Sequence, residues 1–600
     1  MTEALKYSIR PADPAAHLFE VRLTIADPDP AGQVLSLPAW IPGSYMIRDY
    51  ARHVVGIRAE SDGLNVELEK LDKSRWRARP VERELTVIAE IYAFDESVRG
   101  AHLDTTHGFF NGTCVFLEPE GFADRACELE IFKPEKPHGK HWRVATSMET
   151  DGAAIYGFGR YKAGNYAELI DHPVEMGELT IGEFTIRDIP HVFAIRGRHS
   201  ADMARLCHDV ETLCAAQHEF LGTPMDLDRY VFLLNAPGAG YGGLEHGWSS
   251  SLVASRGSLP PRGLEGMTDE YRTFLGLVSH EYFHLWNVKR MKPARFRPYD
   301  LAQETYTGLL WVFEGITSYY DDLMLLRSGL IPVEGWLELV GQTMTRVRRG
   351  AGRLRQSVEA SSFDAWTKFY KQDENAGNAI VSYYAKGSLI AMALDLKLRE
   401  DTDGKVSLDD VMREAWRRFG ETERGMEERE FESLCEEVSG LALEDFFANA
   451  VRGTGELPLD SLLERHGIHV RYRAAASATD KGGKPAETTA SVAFGVRLAE
   501  RDGATYVVAV ANGSPAEKAG LAARDQLLAL DGLRVSGGTL DATLRRFRPN
   551  DTATLTVFRG DELMEFSLRF TKPAEDTVYL ELADDPGEEA CARRNALLLT

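Results

Sequence analysis

Cysteine is scarce in this chain: six residues in 600, Cys114, Cys127, Cys207, Cys214, Cys435 and Cys591, with no Cys-x-x-Cys pair among them. That scatter argues against a disulfide framework and a dithiol redox centre, and fits reduced thiols in a large cytosolic protein. Positive charge is also in deficit. Lys and Arg total 69 against 92 Asp and Glu, a formal net charge of −23, so no basic surface is expected that could displace counterions from nucleic acid or hold an anionic membrane. No uninterrupted apolar run reaches the length of a membrane span. The opening stretch, MTEALKYSIRPADPAAHLFEV, lacks the basic start, apolar core and small-residue cleavage site of a secretory signal. The expectation is a soluble, cytoplasmic protein with neither nucleic-acid nor membrane partners. No internal repeat is visible.

A chain of this length exceeds what one core organises, so a multidomain fold is expected. Residues 1–180 carry short alternating runs, such as Phe19, Val21, Leu23 and Ile25 facing one way and Glu20, Arg22 and Thr24 the other, and read as an all-β, sandwich-like antiparallel domain. Residues 181–465 read as an α+β catalytic domain with a helical part. A helix near 201–219 leads to a β run at 230–234 and a glycine-rich loop at 238–243; long helical periodicities follow. A helix is expected to start at Thr268, a good N-cap followed by Asp269 and Glu270, which suit the positive end of the helix dipole. Residues 466–575 read as a compact β-rich unit that includes a flexible loop at 474–489, and 576–600 as a C-terminal tail. Asp401-Thr402-Asp403-Gly404 lacks the spacing of a calcium loop and reads as a turn, with a helix start at Ser407.

The chemistry is carried by His280-Glu281-Tyr282-Phe283-His284. On a helix the two histidines lie one turn apart on one face and can reach a single tetrahedral ion, while Glu281 stands beside it as a general base for a metal-activated water. One Zn2+ per chain is therefore expected. The bland alternative is a helix whose histidines merely cap a core face. A catalytic zinc needs a third ligand, for which Glu304 and Glu314 are the candidates. Glu314 is preferred, because Trp311, Val312, Phe313 and Ile316 around it would bury the carboxylate, and a buried acid needs a cation.

A His-Glu-x-x-His helix followed by Trp311-x-x-Glu314-Gly315 resembles the gluzincin metallopeptidases. Within them, Gly242-Gly243-Leu244-Glu245-His246 and Ala39-Trp40-Ile41-Pro42-Gly43-Ser44-Tyr45 resemble the M61 family of glycyl aminopeptidases. The gap to the glutamate is longer than in aminopeptidase N, where the usual spacing would fall on Gln303, so Glu304 remains a rival. The resemblance implies a gluzincin fold and an aminopeptidase acting on peptides with a free N-terminus, with a preference for N-terminal glycine or alanine. An exopeptidase needs a carboxylate to hold the substrate ammonium. Glu245 matches the amine-binding glutamate of the aminopeptidase N Gly-x-Met-Glu-Asn motif, with Leu244 and His246 in place of Met and Asn; Gly242, Gly243 and His246 are the neighbouring substrate-binding candidates. Ser382-Tyr383-Tyr384-Ala385-Lys386-Gly387 resembles the segment whose tyrosine steadies the oxyanion, which implies that role for Tyr384, with Tyr383 one residue away.

Towards the C-terminus, Asn512-Gly513-Ser514-Pro515 through Leu521 and Leu530-Asp531-Gly532 resemble the PDZ domains of bacterial proteases. Phe494-Gly495-Val496 is then the loop expected to capture peptide or protein C-termini, although Arg524 stands where such domains often have glycine. Two other readings stay open: a zinc endopeptidase fed by the PDZ unit, and a catalytically silent PDZ adaptor.

Overall fold

A computed structural model describes residues 3–221 and 227–598. It divides into two compact units, residues 1–305 with 416–426, and 306–415 with 427–600.

The first unit begins with the alternating runs expected of a sandwich. Its largest sheet has eight strands, running from Glu149–Thr150 through Gly159–Ala163, Cys127–Ile131, Leu5–Asp13, Leu18–Ile25 and Leu85–Tyr92 to the Val54–Ser61 and Leu64–Val66 edge. Phe19, Val21, Leu23 and Ile25 all point into the core. Two four-stranded sheets share that core through Leu35, Trp76, Phe110 and Val174. The sheet is not wholly antiparallel: Leu5–Asp13 runs parallel to Cys127–Ile131. The long stretch of chain between the two strands permits the same-direction return that a tight hairpin forbids.

A second, mixed sheet in this unit orders its strands Leu179–Ile186, Ile189–Arg196, Tyr230–Asn235, Ser249–Ala254 and Tyr241–Glu245. It starts at residue 179. The 19-residue helix Met203–Leu221 packs on Leu179–Ile186. The motif helix spans Asp269–Phe283, and Thr268 caps it by accepting a hydrogen bond from the Tyr271 N–H at 3.1 Å. Phe274, Leu275, Val278 and Tyr282 are buried along it. Tyr282 donates or accepts at 2.8 Å with both His191 and His218, which fixes the helix against the sheet and the long helix.

The second unit is helical from 306 to about 465. Its helices Ile316–Arg327, Ala385–Asp401 and Leu408–Ala415 are joined by a buried ion network: Arg399 reaches Asp395 at 3.0 Å and Asp409 at 3.2 Å, and Arg327 reaches Asp409 at 3.1 Å. Ser407 opens the last of these helices, both its N–H and hydroxyl donating to Asp410.

Of the stretch 576–600, expected as a tail, the described residues 576–598 are integral to the fold. Thr577–Leu582 pairs with Ile468–Arg473, and the helix Gly587–Leu598 follows. Arg399 and Arg327 donate to its last-turn carbonyls, Ala596 O and Leu597 O, so the same arginines that join the helices anchor the terminus. The pairing with 468–473 also places that strand outside the PDZ-like sheet. Residues 474–489 form no helix or strand, but are tied down: Asp480 accepts from Arg473, Ala476 N and Gly482 N, and Gly483 N donates to Val578 O at 2.8 Å.

The C-terminal sheet runs Val496–Arg501, Ala504–Val510, Gln526–Leu530, Thr552–Arg559, Glu562–Arg569 around Leu527, Leu555, Val557 and Leu568. Arg524 takes φ +75, so arginine adopts here the left-handed backbone that glycine would favour. Thr268→Ala leaves an N–H of the motif helix without its cap; we expect a loss of about 1 kcal/mol, read as a lower urea midpoint.

Candidate functional site

The C-terminal turn of the motif helix presents His280, half-buried, and Glu281, only 5% exposed; His284 lies at the C-cap, 1% exposed. The imidazole rings of His280 and His284 are 4.6 Å apart and almost perpendicular, at 89°. His284 Nδ1 lies 2.8 Å from the Asn287 carbonyl oxygen, which can only accept. The proton therefore sits on Nδ1 and makes Nε2 the electron-pair donor, the arrangement that a metal-binding histidine requires.

Glu245 closes the strand Tyr241–Glu245 and is 4% exposed. One ligand-capable atom each from Glu245, Glu281 and His284 lies within 4.8 Å of the other two. Two glycines allow this crowding. A Cβ on Gly243 would run into the Glu281 carboxylate, and one on Gly43, which has φ +88, into that of Glu245. Gly43 belongs to the Ala39–Tyr45 segment, which is held to this region by the Trp40 indole N–H donating to Asp300 O at 2.8 Å and by Ala39 N donating to Leu301 O.

Gly242 and Gly243 sit opposite Val253 and Leu252 in the antiparallel pair with Ser249–Ala254. The sheet edge is formed by Tyr241–Glu245 itself, while Ser249–Ala254 is interior. Any extended ligand pairing with this edge would thus meet the glycine strand. His246, expected among the substrate-binding residues, is 2% exposed, and its Nδ1 is 3.0 Å from Asp171. Asp171 also accepts from Lys289 Nζ at 2.9 Å and Gly247 N at 2.9 Å. Burial raises the Asp171 pKa, but the Lys289 charge and the His246 hydrogen bond outweigh it and hold the carboxyl well below its ordinary value. Burial pushes His246 down, against Asp171's pull. Asp171, Lys289 and Arg99, which donates to Gly243 O at 3.3 Å, were not distinguishable in the sequence because each comes from a distant segment.

In the second unit, Glu314 lies in a five-residue π-helical turn, Trp311–Gly315, and is 2% exposed. Such turns recur at functional sites because they re-aim a side chain inside a helix. Gly315 packs directly on Gly387: a Cβ on Gly315 would come 2.7 Å from Gly387 Cα and 2.8 Å from Tyr383 O. That approach brings Tyr384, at the N-cap of Ala385–Asp401, into the electrostatic range of Glu314. Burial, then the Glu314 charge, raises the Tyr384 pKa well above the usual phenol value, so the phenol keeps its proton and remains a donor. Its hydroxyl lies 3.4 Å from that of Tyr370. Tyr383 is fully buried and stacks on Tyr384 at 4.7 Å, whereas Tyr384 is half-buried.

The rival ligands are placed otherwise. Glu304 is half-buried in an irregular stretch, and among the described residues falls in no group of three metal-capable side chains; Gln303 is exposed and donates to Asp300 at 2.7 Å. In the C-terminal sheet, Phe494 and Gly495 precede the edge strand Val496–Arg501, and their carbonyls accept from Ala516 N and Ala511 N. Gly495 has φ +88, and a side chain there would strike Ser514.

The motif, the Ala39–Tyr45 segment and the C-terminal sheet fall within family matches, whereas Gly242–His246 lies between two of them. Residues 6–178 match the peptidase M61 N-terminal domain, 273–390 the M61 glycyl aminopeptidase, and 492–569 a PDZ domain. The aminopeptidase N family protein from Idiomarina loihiensis is 40% identical over 99% of this chain and 100% of that one, with a TM-score of 0.96. The chain therefore belongs to the M61 glycyl aminopeptidase family of gluzincin metallopeptidases, with an N-terminal β part, an α+β catalytic part with a helical extension and a C-terminal PDZ domain. It is a metallo-aminopeptidase, a hydrolase of peptide bonds. The M1 zinc metallopeptidase from Deinococcus radiodurans, alone and as a mutant bound to a Tyr-Ser-Ala substrate, covers 76% of the chain at 13% and 12% identity. Both have a TM-score of 0.47, and the match spans 95% of each of those chains. A comparison with curated proteins finds no match.

Gly243→Ala displaces the Glu281 carboxylate without touching either histidine. We expect kcat/KM toward aminoacyl amides to fall about 100-fold, the cost of misplacing a catalytic group by about 1 Å, with metal content retained.

Proposed function

We propose that this chain is a zinc aminopeptidase that releases small N-terminal residues, glycine or alanine, from peptides with a free amino terminus. The observation that carries the reading is the gathering of Glu245, Glu281 and His284 around the Gly43 and Gly243 backbones, one carboxylate on the sheet edge and one on the motif helix. The family's description as glycyl aminopeptidase supports the preference for small residues.

His280, His284 and Glu314 are the residues that would hold the ion. Two imidazoles and a carboxylate suit a catalytic zinc with one position left open, and the Asn287 carbonyl presets the His284 tautomer. When bound, the ion would lower the pKa of water and polarise the scissile carbonyl. Glu281 takes the proton from the attacking water and passes it to the leaving amine. Tyr384, kept protonated by its surroundings, donates to the developing oxyanion. Glu245 accepts from the substrate ammonium and fixes the register, so that only the first peptide bond reaches Glu281. The substrate backbone lies along the Tyr241–Glu245 edge, and no side chain at Gly242 or Gly243 obstructs its approach.

No helix among the described residues is long and apolar enough to cross a membrane, and we place the protein in the cytoplasm. The PDZ domain takes peptide or protein C-termini at Phe494-Gly495-Val496, where the edge strand begins.

Glycyl and alanyl p-nitroanilides should be cleaved and their N-acetylated forms left intact. Chelator should abolish cleavage, zinc restore it, and Glu281→Gln lack it. Turnover of the acetylated substrates would make the enzyme an endopeptidase; no turnover of either would favour the silent adaptor. Tyr384→Phe is expected to lower kcat by about 100- to 1,000-fold with KM little changed, as for loss of one oxyanion donor.

A further inference from the structure

The open edge of the mixed sheet runs into a guanidinium. His246 N donates to Ser249 O at 2.8 Å and Ser255 N to Gly240 O at 3.2 Å, so the even-numbered residues of Tyr241–Glu245 pair inward with Ser249–Ala254. Gly243 and Glu245 therefore turn their N–H and C=O groups to the unpaired edge. Arg99, from a loop of the N-terminal β part, reaches that edge. Its Nη2 donates to Gly243 O at 3.3 Å, and its Nη1 lies 3.8 Å from where a Cβ on Gly242 would stand. A peptide backbone pairing with the edge beside Glu245 meets the guanidinium once it reaches Gly243.

A clamp that merely tied this loop to the strand would have no donor left over. Among the described residues Arg99 forms no salt bridge, and its buried Nε has no hydrogen-bond partner. The acids on its own loop are engaged elsewhere: Asp95 accepts from Ser97 N at 2.9 Å, and Glu96 faces Arg196 at 3.8 Å. The loop itself is held firmly. The Tyr50 hydroxyl donates to Arg99 O at 2.8 Å, and fully buried Asn111 donates from Nδ2 to Val98 O at 2.9 Å and Gly100 O at 3.0 Å. Arg99 is thus a half-buried cation, fixed in place at a peptide-binding edge and without an acid of its own. Such a group suits an anion, and the planar fork of a guanidinium matches a carboxylate.

Spacing says which carboxylate. Gly243 and Gly242 are two and three positions from Glu245, or about 7 and 10 Å along a strand. An extended dipeptide or tripeptide covers the same range, about 7 to 10 Å. We infer that Arg99 takes the C-terminal carboxylate of substrates two or three residues long, while Glu245 holds their ammonium. The enzyme is then a peptidase of short free peptides rather than a trimmer of long chains. This inference rests on the aminopeptidase reading, with Glu245 as the amine site.

The test compares Ala-Ala and Ala-Ala-Ala with their C-terminal amides on full-length protein. At one or both lengths the free acid should exceed its amide at least tenfold in kcat/KM, the effect of one charge-assisted pair. Arg99→Met should bring that ratio close to one, and Arg99→Lys should restore part of it. A general disturbance of the Gly243 strand would lower acid and amide alike and leave the ratio in place. Ratios near one for wild type at both lengths, or a ratio that survives Arg99→Met, would overturn the assignment. Failure of the aminopeptidase reading shows separately, as no turnover of alanyl p-nitroanilide or as turnover of its N-acetylated form. Calorimetry on Glu281→Gln then decides. Free acids that bind at least tenfold tighter than their amides, with the difference lost when Arg99→Met is added, sustain the carboxylate site; equal binding, or none, overturns it.

Discussion

Two carboxylates share one small buried space in this protein, and much of the surrounding structure follows from that. Glu245 and Glu281 are each about 95% buried and lie beside His284. Like charges at such range in a medium of low polarity repel, and each also loses its hydration, so a cation beside them is favoured. On the proposed reading there are two: a substrate ammonium before Glu245 and a metal ion at the histidines. The buried Glu314 poses the same requirement in the other unit. A folded state that keeps acids where water would otherwise be favoured is holding electrostatic free energy for a ligand to release.

Glycine makes the crowding sterically feasible. Gly43 and Gly243 let the two carboxylates approach backbone that any Cβ would block, and the Gly315–Gly387 contact does the same for the helix turn carrying Glu314 and the helix following Tyr384. These glycines adjoin the residues that carry the chemistry in each motif, which gives the motifs a physical basis. The glutamate in Trp-x-x-Glu-Gly is aimed by the π turn, while the glycine beside it sets how near Tyr384 can come. Lys289, Asp171 and His246 then brace the far end of the Glu245 strand, where a buried charge pair fixes the turn after Glu245.

What was legible in the sequence is what depends on local periodicity. The helical repeat put His280 and His284 on one face; Thr268 announced its own cap; the apolar flanks of Glu314 implied its burial. What was not legible depends on pairing between distant strands. Which strand of 241–254 forms the sheet edge is decided by how Ser249–Ala254 joins Tyr230–Asn235, and no short-range pattern encodes that. The partner of His246, Asp171, is 75 residues away, so its hydrogen bond could not be read from the local motif. Residues 576–598 pair a strand with distant Ile468–Arg473 and offer last-turn carbonyls to Arg327 and Arg399, contacts that no short-range pattern reports.

The same reasoning bears on what the PDZ domain can do. Within its unit it is not merely threaded on a linker. Asn378 of the helical part donates to Val510 O and accepts from Asn512 N, both at 2.9 Å, at the end of the strand next to the PDZ edge. Residues 474–489 are anchored by Asp480 and Gly483, and Ala478 N reaches Asp541 on the helix Gly537–Leu544, which packs beside the edge strand Val496–Arg501. A domain held at both its strand end and its helix cannot search a large volume on a flexible tether. If it recruits peptide ends, it presents them in one orientation relative to the helices that carry Glu314 and Tyr384. Asn378, through Val510 and Asn512, is what fixes that orientation on the helical side.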